Sequence, residues 1–361
     1  SLLCLAGESK TMNNSLTIRA FNERFAVLLP VRAIWVLLAL VAAIAIVVIW
    51  SLMTGSYPLT VTQVIEILRN APDGKTGTTI VWEFRFPRAV VSVMVGALLA
   101  LSGATLQNVT RNPLADPSLV GVSQGASFAV VFLTILMPEV GYYYRPLYAF
   151  GGALAVAALI QWISVRKTDG ATMRFILTGV GVAAFISAGT SAMLTYGDID
   201  RAMTALAWLA GSVHTSNWSD VWITSVCFAL LLPVLLWASR PMAAMRMGPD
   251  AATGLGVNVK WGRIGLITLS VALAAIAVSA VGPLGFVGLI APHVTRRLVH
   301  AGVGLHLAIT AAVGGLLVAS ADLIGRAAFA PVQIPAGIIT AVVGVPIFIW
   351  LILRQNEKGE L

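Results

Sequence analysis

The triplet Gly74-Lys75-Thr76 is the one place where the chain has residues suited to cradling a nucleotide phosphate. A phosphate-binding loop needs GxxxxGK[ST], so that backbone amides wrap the phosphates while the lysine reaches them. The position of the first glycine holds Arg69, so the triplet is a coincidence. His214, His293, His300 and His306 have no metal-ligand spacing, and Cys4 and Cys227 lie one in the N-terminal tail and one in an apolar run, with no disulfide framework or metal cage between them. Acidic residues fall in tails, loops or the ends of apolar runs. Asp322 comes nearest to the intramembrane carboxylate that ion-coupled carriers use as a proton or sodium site. No Ser/His/Asp or paired-carboxylate constellation is assembled. The chain has no catalytic machinery, binds no cofactor, and must draw any ATP hydrolysis from another polypeptide.

The elements that would position these residues are membrane spans. Of 361 residues, 58% are hydrophobic and only 11% charged, where a soluble chain keeps about a quarter charged. Apolar runs of about 20 residues, enough to cross a ~30 Å hydrocarbon core, recur along the whole length. Breaks at proline, glycine and charge clusters divide them into ten expected helices, near 32–53, 88–109, 118–137, 147–165, 174–196, 219–238, 262–281, 284–299, 305–323 and 336–353. The runs are continuous and lack two-residue alternation, so they are helices and not strands. The chain reads as an all-α, multi-pass integral membrane protein. Residues 1–31 form an N-terminal tail with no signal-peptide core, in which Met12 could serve as the natural start, and residues 354–361 form a C-terminal tail.

Basic residues are counted by alternate loops to orient the spans. With the N-terminus inside, sixteen of the 23 Lys and Arg fall in inner segments, which puts both termini in the cytoplasm. The net charge of +8 is therefore topological and does not point to nucleic acid. Two loops exceed simple connectors. Residues 60–70 place Val61, Val64, Ile65 and Leu68 on one face, predicting an amphipathic helix on the outer membrane surface. Residues 239–261 form a polar inner loop with helix-like stretches around Gly248 to Gly256, where a soluble partner would push. Inside the spans, small residues such as Gly96, Gly103, Gly125 and Ser102 allow helices to approach closely.

Several stretches together resemble the permease family of type II ABC importers, which carry iron-siderophores, haem or cobalamin. They are Arg85-Phe-Pro-Arg88 with Arg111-Asn-Pro-Leu-Ala-Asp-Pro117; Trp208-Leu-Ala-Gly-Ser212; Ser239-Arg-Pro-Met242 with Met247-Gly-Pro-Asp250; Gly282-Pro-Leu-Gly-Phe-Val-Gly288 running on to Pro292-His293; and Ala321-Asp322 to Pro335-Ala-Gly337. The resemblance covers nearly all of the chain from the first span onward. It implies ten helices per subunit and two permease subunits, identical or homologous, around one pathway. It also implies two cytoplasmic ATP-binding subunits, which use ATP and Mg, and a periplasmic binding protein, all in a bacterial inner membrane.

The same resemblance assigns residues. Arg85, Arg88 and Arg326 would receive carboxylates of the binding protein, as exposed pairs giving steering and register. Met247, Gly248, Asp250, Ala251, Gly254 and Gly256 would dock into the ATPase. Asn112 and Leu114, with Thr172 on a neighbouring helix, would form a cytoplasmic gate; Asn112-Pro113 also reads simply as a helix stop. Many members carry glutamate where Gln333 stands, and the glutamine form is similar to ferric-catecholate permeases. The reading that follows is the channel-forming subunit of an ATP-driven iron-siderophore importer, with ferric catecholate as cargo. Cobalamin or haem is the alternative within the family. An ion-gradient-driven secondary transporter and an intramembrane enzyme are the alternatives outside it.

Overall fold

A computed structural model describes residues 15–20, 25–55, 57–69, 76–164, 171–329 and 332–356. The described part of the N-terminal tail is an antiparallel hairpin, β1 (Ser15–Ala20) and β2 (Phe25–Pro30), paired from Ser15 opposite Pro30 to Ala20 opposite Phe25. It is a small departure from the all-α expectation, and everything after it is helical. The helices are α1 (Val31–Met53), α2 (Val61–Arg69), α3 (Thr76–Thr79), α4 (Phe86–Thr110), α5 (Val122–Leu136), α6 (Arg145–Ser164) and α7 (Ala171–Tyr196). They continue with α8 (Ile199–Leu209), α9 (Trp218–Arg246), α10 (Pro249–Gly254), α11 (Val259–Val281), α12 (Val287–Leu298), α13 (Val303–Ala327) and α14 (Ala336–Asn356). Every expected span contains a helix. Among the described residues, seven continuous helices are long and apolar enough to cross a membrane, counting Thr76–Thr110 as one.

Burial sorts these helices into a centre and a rim. The most apolar 18-residue stretch of Thr76–Thr110 is 83% buried, against 6% for that of Val31–Met53, although α1 is the more hydrophobic of the two. An apolar helix that leaves Trp35, Ile46 and Trp50 uncovered needs lipid as its solvent. Around α4 pack α13, α11, α12 and α9. The contacts are close because glycines meet backbone. A Cβ at Gly96 would stand 2.2 Å from the Gly314 carbonyl oxygen, and one at Gly103 would stand 1.9 Å from that of Gly288. Ser102 and Ser270 clamp α4 to α11 reciprocally, Ser102 Oγ donating to the Ser270 carbonyl at 2.5 Å and Ser270 Oγ to the Ser102 carbonyl at 2.8 Å.

Three expectations need correction. The span expected at 284–299 is not a full crossing: α12 has 12 residues, about 18 Å of helix. It is preceded by a non-helical stretch in which Gly282 (φ 80°) and Phe286 (φ 68°) adopt left-handed backbone. Backbone of this kind is tolerated at membrane depth only inside protein. Here Ser212 N–H donates to the Val281 carbonyl and Gly337 N–H to that of Gly211. The helix expected at 60–70 forms as α2, with Thr60 and Gln63 making a reciprocal cap. Its apolar face is nevertheless split: Val64 is buried with Leu52, Leu59 and Val81, and Ile67 and Leu68 pack there too, while Val61 and Ile65 stay exposed. Finally, α9 runs on to Arg246, so the inner loop begins later than 239.

The helix α8 lies in what reads as an outer loop. Asp198 caps it by accepting from the Asp200 and Arg201 amides, and Ala205 seats against Val131 and Ile135 of α5. Gly74 and Lys75 lie outside the described residues.

The glycine contacts give the first prediction. Gly103→Ala should destabilise the detergent-solubilised protein by about 1–3 kcal/mol through overpacking. Gly181→Ala, where nothing lies within 4 Å, should leave its thermal midpoint unchanged.

Candidate functional site

The two ends of the bundle carry the polar chemistry. At one end α4 is preceded by a wide π-turn, Ile80–Arg85, which swings Arg85 across the C-terminus of α1. Arg85 Nη1 donates to the Leu52 carbonyl at 2.7 Å and Nη2 to the Tyr57 carbonyl at 2.6 Å. Arg326 Nη2 donates to the Ser51 carbonyl at 2.7 Å and to Ser51 Oγ at 2.6 Å. The last carbonyls of α1 lack helical partners and carry its negative pole, and α1 has no basic residue in its own last turn. Two arginines from elsewhere in the chain fill that role.

Arg88 is fixed more tightly still. Its Nε lies 3.0 Å from both carboxylate oxygens of Asp322, and its Nη2 lies 2.7 Å from Oδ1. Nη1 completes the set at 3.0 Å from His214 Nδ1 and 3.0 Å from Gln333 Oε1. A guanidinium can only donate, so His214 Nδ1 accepts and the neutral ring carries its proton on Nε2. Burial, and then the Arg88 charge, hold the His214 pKa below the ordinary imidazole range. Nearby, Trp218 Nε1 donates to the Trp82 carbonyl at 2.8 Å, and the Trp82 and Trp218 rings stack.

The expectation of three exposed arginines is therefore corrected: Arg85, Arg88 and Arg326 are each 6% exposed. The structure brings them together but turns them inward, with Asp322 as the buried carboxylate among them. Arg326 Nε has no hydrogen-bond partner. His214 and Gln333, on the exposed rim, are the members through which the cluster meets solvent. His214 stands as an isolated histidine in the sequence, and Gln333 bears there on the cargo class and not on this cluster. The available signal was the position of Asp322 in an apolar run, which called for a cationic partner.

At the opposite end, α4 stops at Arg111, whose left-handed backbone (φ 51°) precedes Asn112-Pro113. Asn112 Oδ1 accepts from the Leu114 amide at 2.9 Å, closing the turn, and both side chains are half-buried. Arg111 Nη2 donates to the Met245 carbonyl at 2.8 Å and so ties this turn to the end of α9. Asp116 accepts from the Ser118 amide and hydroxyl at 2.8 and 2.5 Å; burial raises its pKa against those bonds. The neighbouring helix α7 packs on the turn at 117–120. Thr172 falls in the first turn of α7, and its side chain lies outside the description.

Beside that turn stands the helical knuckle α10. Gly248 (φ 122°) opens it and Gly256 (φ 81°) closes it, both in backbone that favours glycine. Ala252 is fully buried and anchors it. The Val257 amide donates to the Ala252 carbonyl at 2.9 Å. Met247, Asp250, Ala251, Gly254 and Gly256 face outward. A cavity of about 690 Å³, lined by Trp237, Pro241, Leu255, Val257 and Trp261 among others, lies between α9, α11 and the chain that follows α10. The result is a braced, solvent-facing knob. No group of His, Cys, Asp and Glu among the described residues is arranged to hold a metal.

Residues 40–354 match the FecCD transport family. The chain belongs to that family. This FecCD protein is 38% identical over 322 residues to the achromobactin transport system permease protein CbrC of Dickeya dadantii (strain 3937), covering 89% of this chain and 91% of that one. It is 35% identical over 277 residues to the Fe(3+) dicitrate transport system permease protein FecD of Escherichia coli (strain K12), covering 77% and 86%. Its fold is similar to a solved metal-chelate type ABC transporter in an inward-facing conformation, with TM-score 0.78 and 30% identity over 89% of this chain and 99% of that chain. The permease fold implied by the sequence is thereby established.

The Arg88–Asp322 pair, with side chains 8% and 3% exposed, yields the second prediction. Asp322→Ala strands a buried cation and should cost about 3–5 kcal/mol in an unfolding titration, whereas Arg88→Met with Asp322→Leu should recover most of that loss. A third concerns pH. Because the folded-state pKa of His214 lies below its unfolded value, its stabilising effect is complete above pH ~6.5 and is lost as pH falls below it. His214→Gln should flatten the thermal midpoint between pH 7 and 5.5.

Proposed function

We propose that this FecCD permease carries an iron-siderophore complex across the bacterial inner membrane as one half of a channel, with ATP and Mg used by separate ATP-binding subunits. The observation that carries the reading is the braced knob at α10: a short helix anchored through buried Ala252, with Met247, Asp250, Ala251 and Gly254 turned outward. A soluble motor pressing on it moves α9 and α11 directly, since both grow out of it. We assign Met247, Gly248, Asp250, Ala251, Gly254 and Gly256 to that contact, and place both termini at the same, cytoplasmic end.

The arginine-bearing end is then periplasmic. There we assign Arg85, Arg88 and Arg326 to docking of a binding protein, in a modified form. Their charge reaches a partner carboxylate through the exposed rim at His214 and Gln333, not through free guanidinium groups. Asn112, Leu114 and Thr172, where the chain turns at the cytoplasmic end, are assigned to the gate.

The cargo class rests on relatives whose names specify achromobactin and Fe(3+) dicitrate. Ferric catecholate is the narrower reading, resting on Gln333 in place of glutamate. A second copy of this chain or a homologous one completes the pathway.

The test uses the assembled complex in proteoliposomes with a binding protein and ferric siderophores of catecholate, citrate and hydroxamate type. Asp250→Arg should abolish stimulated ATP hydrolysis and reduce uptake at least ten-fold while the permease stays folded. Normal stimulation in that variant would remove the knob from the mechanism. Because the docking arginines are structural, Gln333→Lys is the cleaner probe of the outer end and should weaken binding-protein association without unfolding the subunit.

A further inference from the structure

A second cavity, of about 440 Å³, opens at the same end of the bundle as α10 and is lined by Pro30, Arg246, Arg296, His300, Gly302 and His306 among others. Its chemistry is one-sided, since among the described residues no carboxylate lines it. The Arg246 and Arg296 charges are close enough to act on each other and on His306. Each guanidinium is held by one amide oxygen: Arg246 Nε by Asn108 Oδ1, and Arg296 Nη2 by Gln107 Oε1 at 2.8 Å. Among the described residues, their remaining N–H groups have no hydrogen-bond acceptor. His306 is 4% exposed, yet its Nε2 is buried without a hydrogen-bond partner.

Two helix N-termini converge on the same space. Pro30 is the N-cap of α1 and Gly302 that of α13, and neither has a side-chain cap. First-turn amides left open at a helix N-terminus, with the positive pole behind them, favour an anion. Two like-charged guanidinium groups side by side, an unpaired buried imidazole and two uncapped N-termini all lack the same partner: a compact oxyanion with several acceptor atoms.

We propose that this cavity binds a phosphate group at the cytoplasmic end of the permease. Phosphate offers three or four acceptor oxygens to guanidinium forks, imidazole and backbone amides together. The lipid-facing helix α1 begins at its rim, which puts a phospholipid headgroup within reach, and basic pockets between spans on the cytoplasmic side suit such headgroups. A free phosphate offers the same chemistry, and experiment separates the two sources.

The full-length permease is held in a maltoside detergent, which carries no phosphate, with or without added phosphatidylglycerol, and its thermal midpoint is followed with and without inorganic phosphate. Retained phospholipid is read by native mass spectrometry. Stabilisation by phosphatidylglycerol, with retained lipid, supports a headgroup; stabilisation by inorganic phosphate in lipid-free detergent supports the free anion. In either case Arg246→Gln, an exposed position that leaves the core untouched, should weaken the effect about ten-fold in half-saturating concentration. His306→Gln should do the same if it folds. The proposal is overturned if neither source stabilises the wild-type protein, if Arg246→Gln responds as wild type does, or if citrate replaces phosphate with equal effect.

Discussion

A single buried ion pair, Arg88 with Asp322, sets the arrangement of one whole end of this molecule. Both groups sit where water is nearly excluded, so neither tolerates being left alone. The pair draws α4 and α13 into one register, and the remaining Arg88 donors collect His214 and Gln333 from two loops. Arg326, one turn beyond Asp322, then meets the end of α1, and Arg85, one turn before Arg88, meets it from the other side. An apolar bundle has little hydrophobic incentive to choose one packing over another in lipid. Polar contacts at the ends and glycine contacts in the middle make that choice.

The middle and the ends are mechanically continuous. From Arg88 to Thr110, α4 is an uninterrupted rod of about 33 Å, packed at Gly96 on α13 and at Gly103 on α12. At its far end Arg111 holds the last turn of α9, which leads straight into α10. α10 is thus linked through α9 and Arg111 to α4, whose other end carries Arg88. The interrupted segment before α12 lies against the chain at 208–212.

The spans were legible because hydropathy is a long-range average: a run of twenty apolar residues survives errors at individual positions. The helix stop at Arg111-Asn112-Pro113 and the glycine-bounded knuckle at 248–256 were legible because proline and glycine restrict backbone locally. Pairings across the sequence were not. Arg88 and Asp322 are 234 positions apart, and nothing in either segment names the other, so the arginines read as exposed when they are buried. The eighth span is already short in the sequence, at 284–299, but that it is only the 12 residues of α12 is not legible there. Its flanks are as apolar as a helix, and only the left-handed backbone at Gly282 and Phe286, with Gly282 and Gly211 packed against neighbouring carbonyls, shows that the stretch before it is not helical. The amphipathic helix α8 was lost among longer spans, though Asp198 with Ala202, Ala205 and Leu209 carried its signature.

The account stands on a division of labour in which this chain shapes a path and another polypeptide drives it. Purified permease alone, reconstituted into liposomes with an imposed proton or sodium gradient, tests that division directly with a radioiron-labelled siderophore. The expected result is no accumulation above the external concentration, with accumulation restored when ATP-binding subunits, binding protein and ATP are supplied. Gradient-driven accumulation by the permease alone would contradict it.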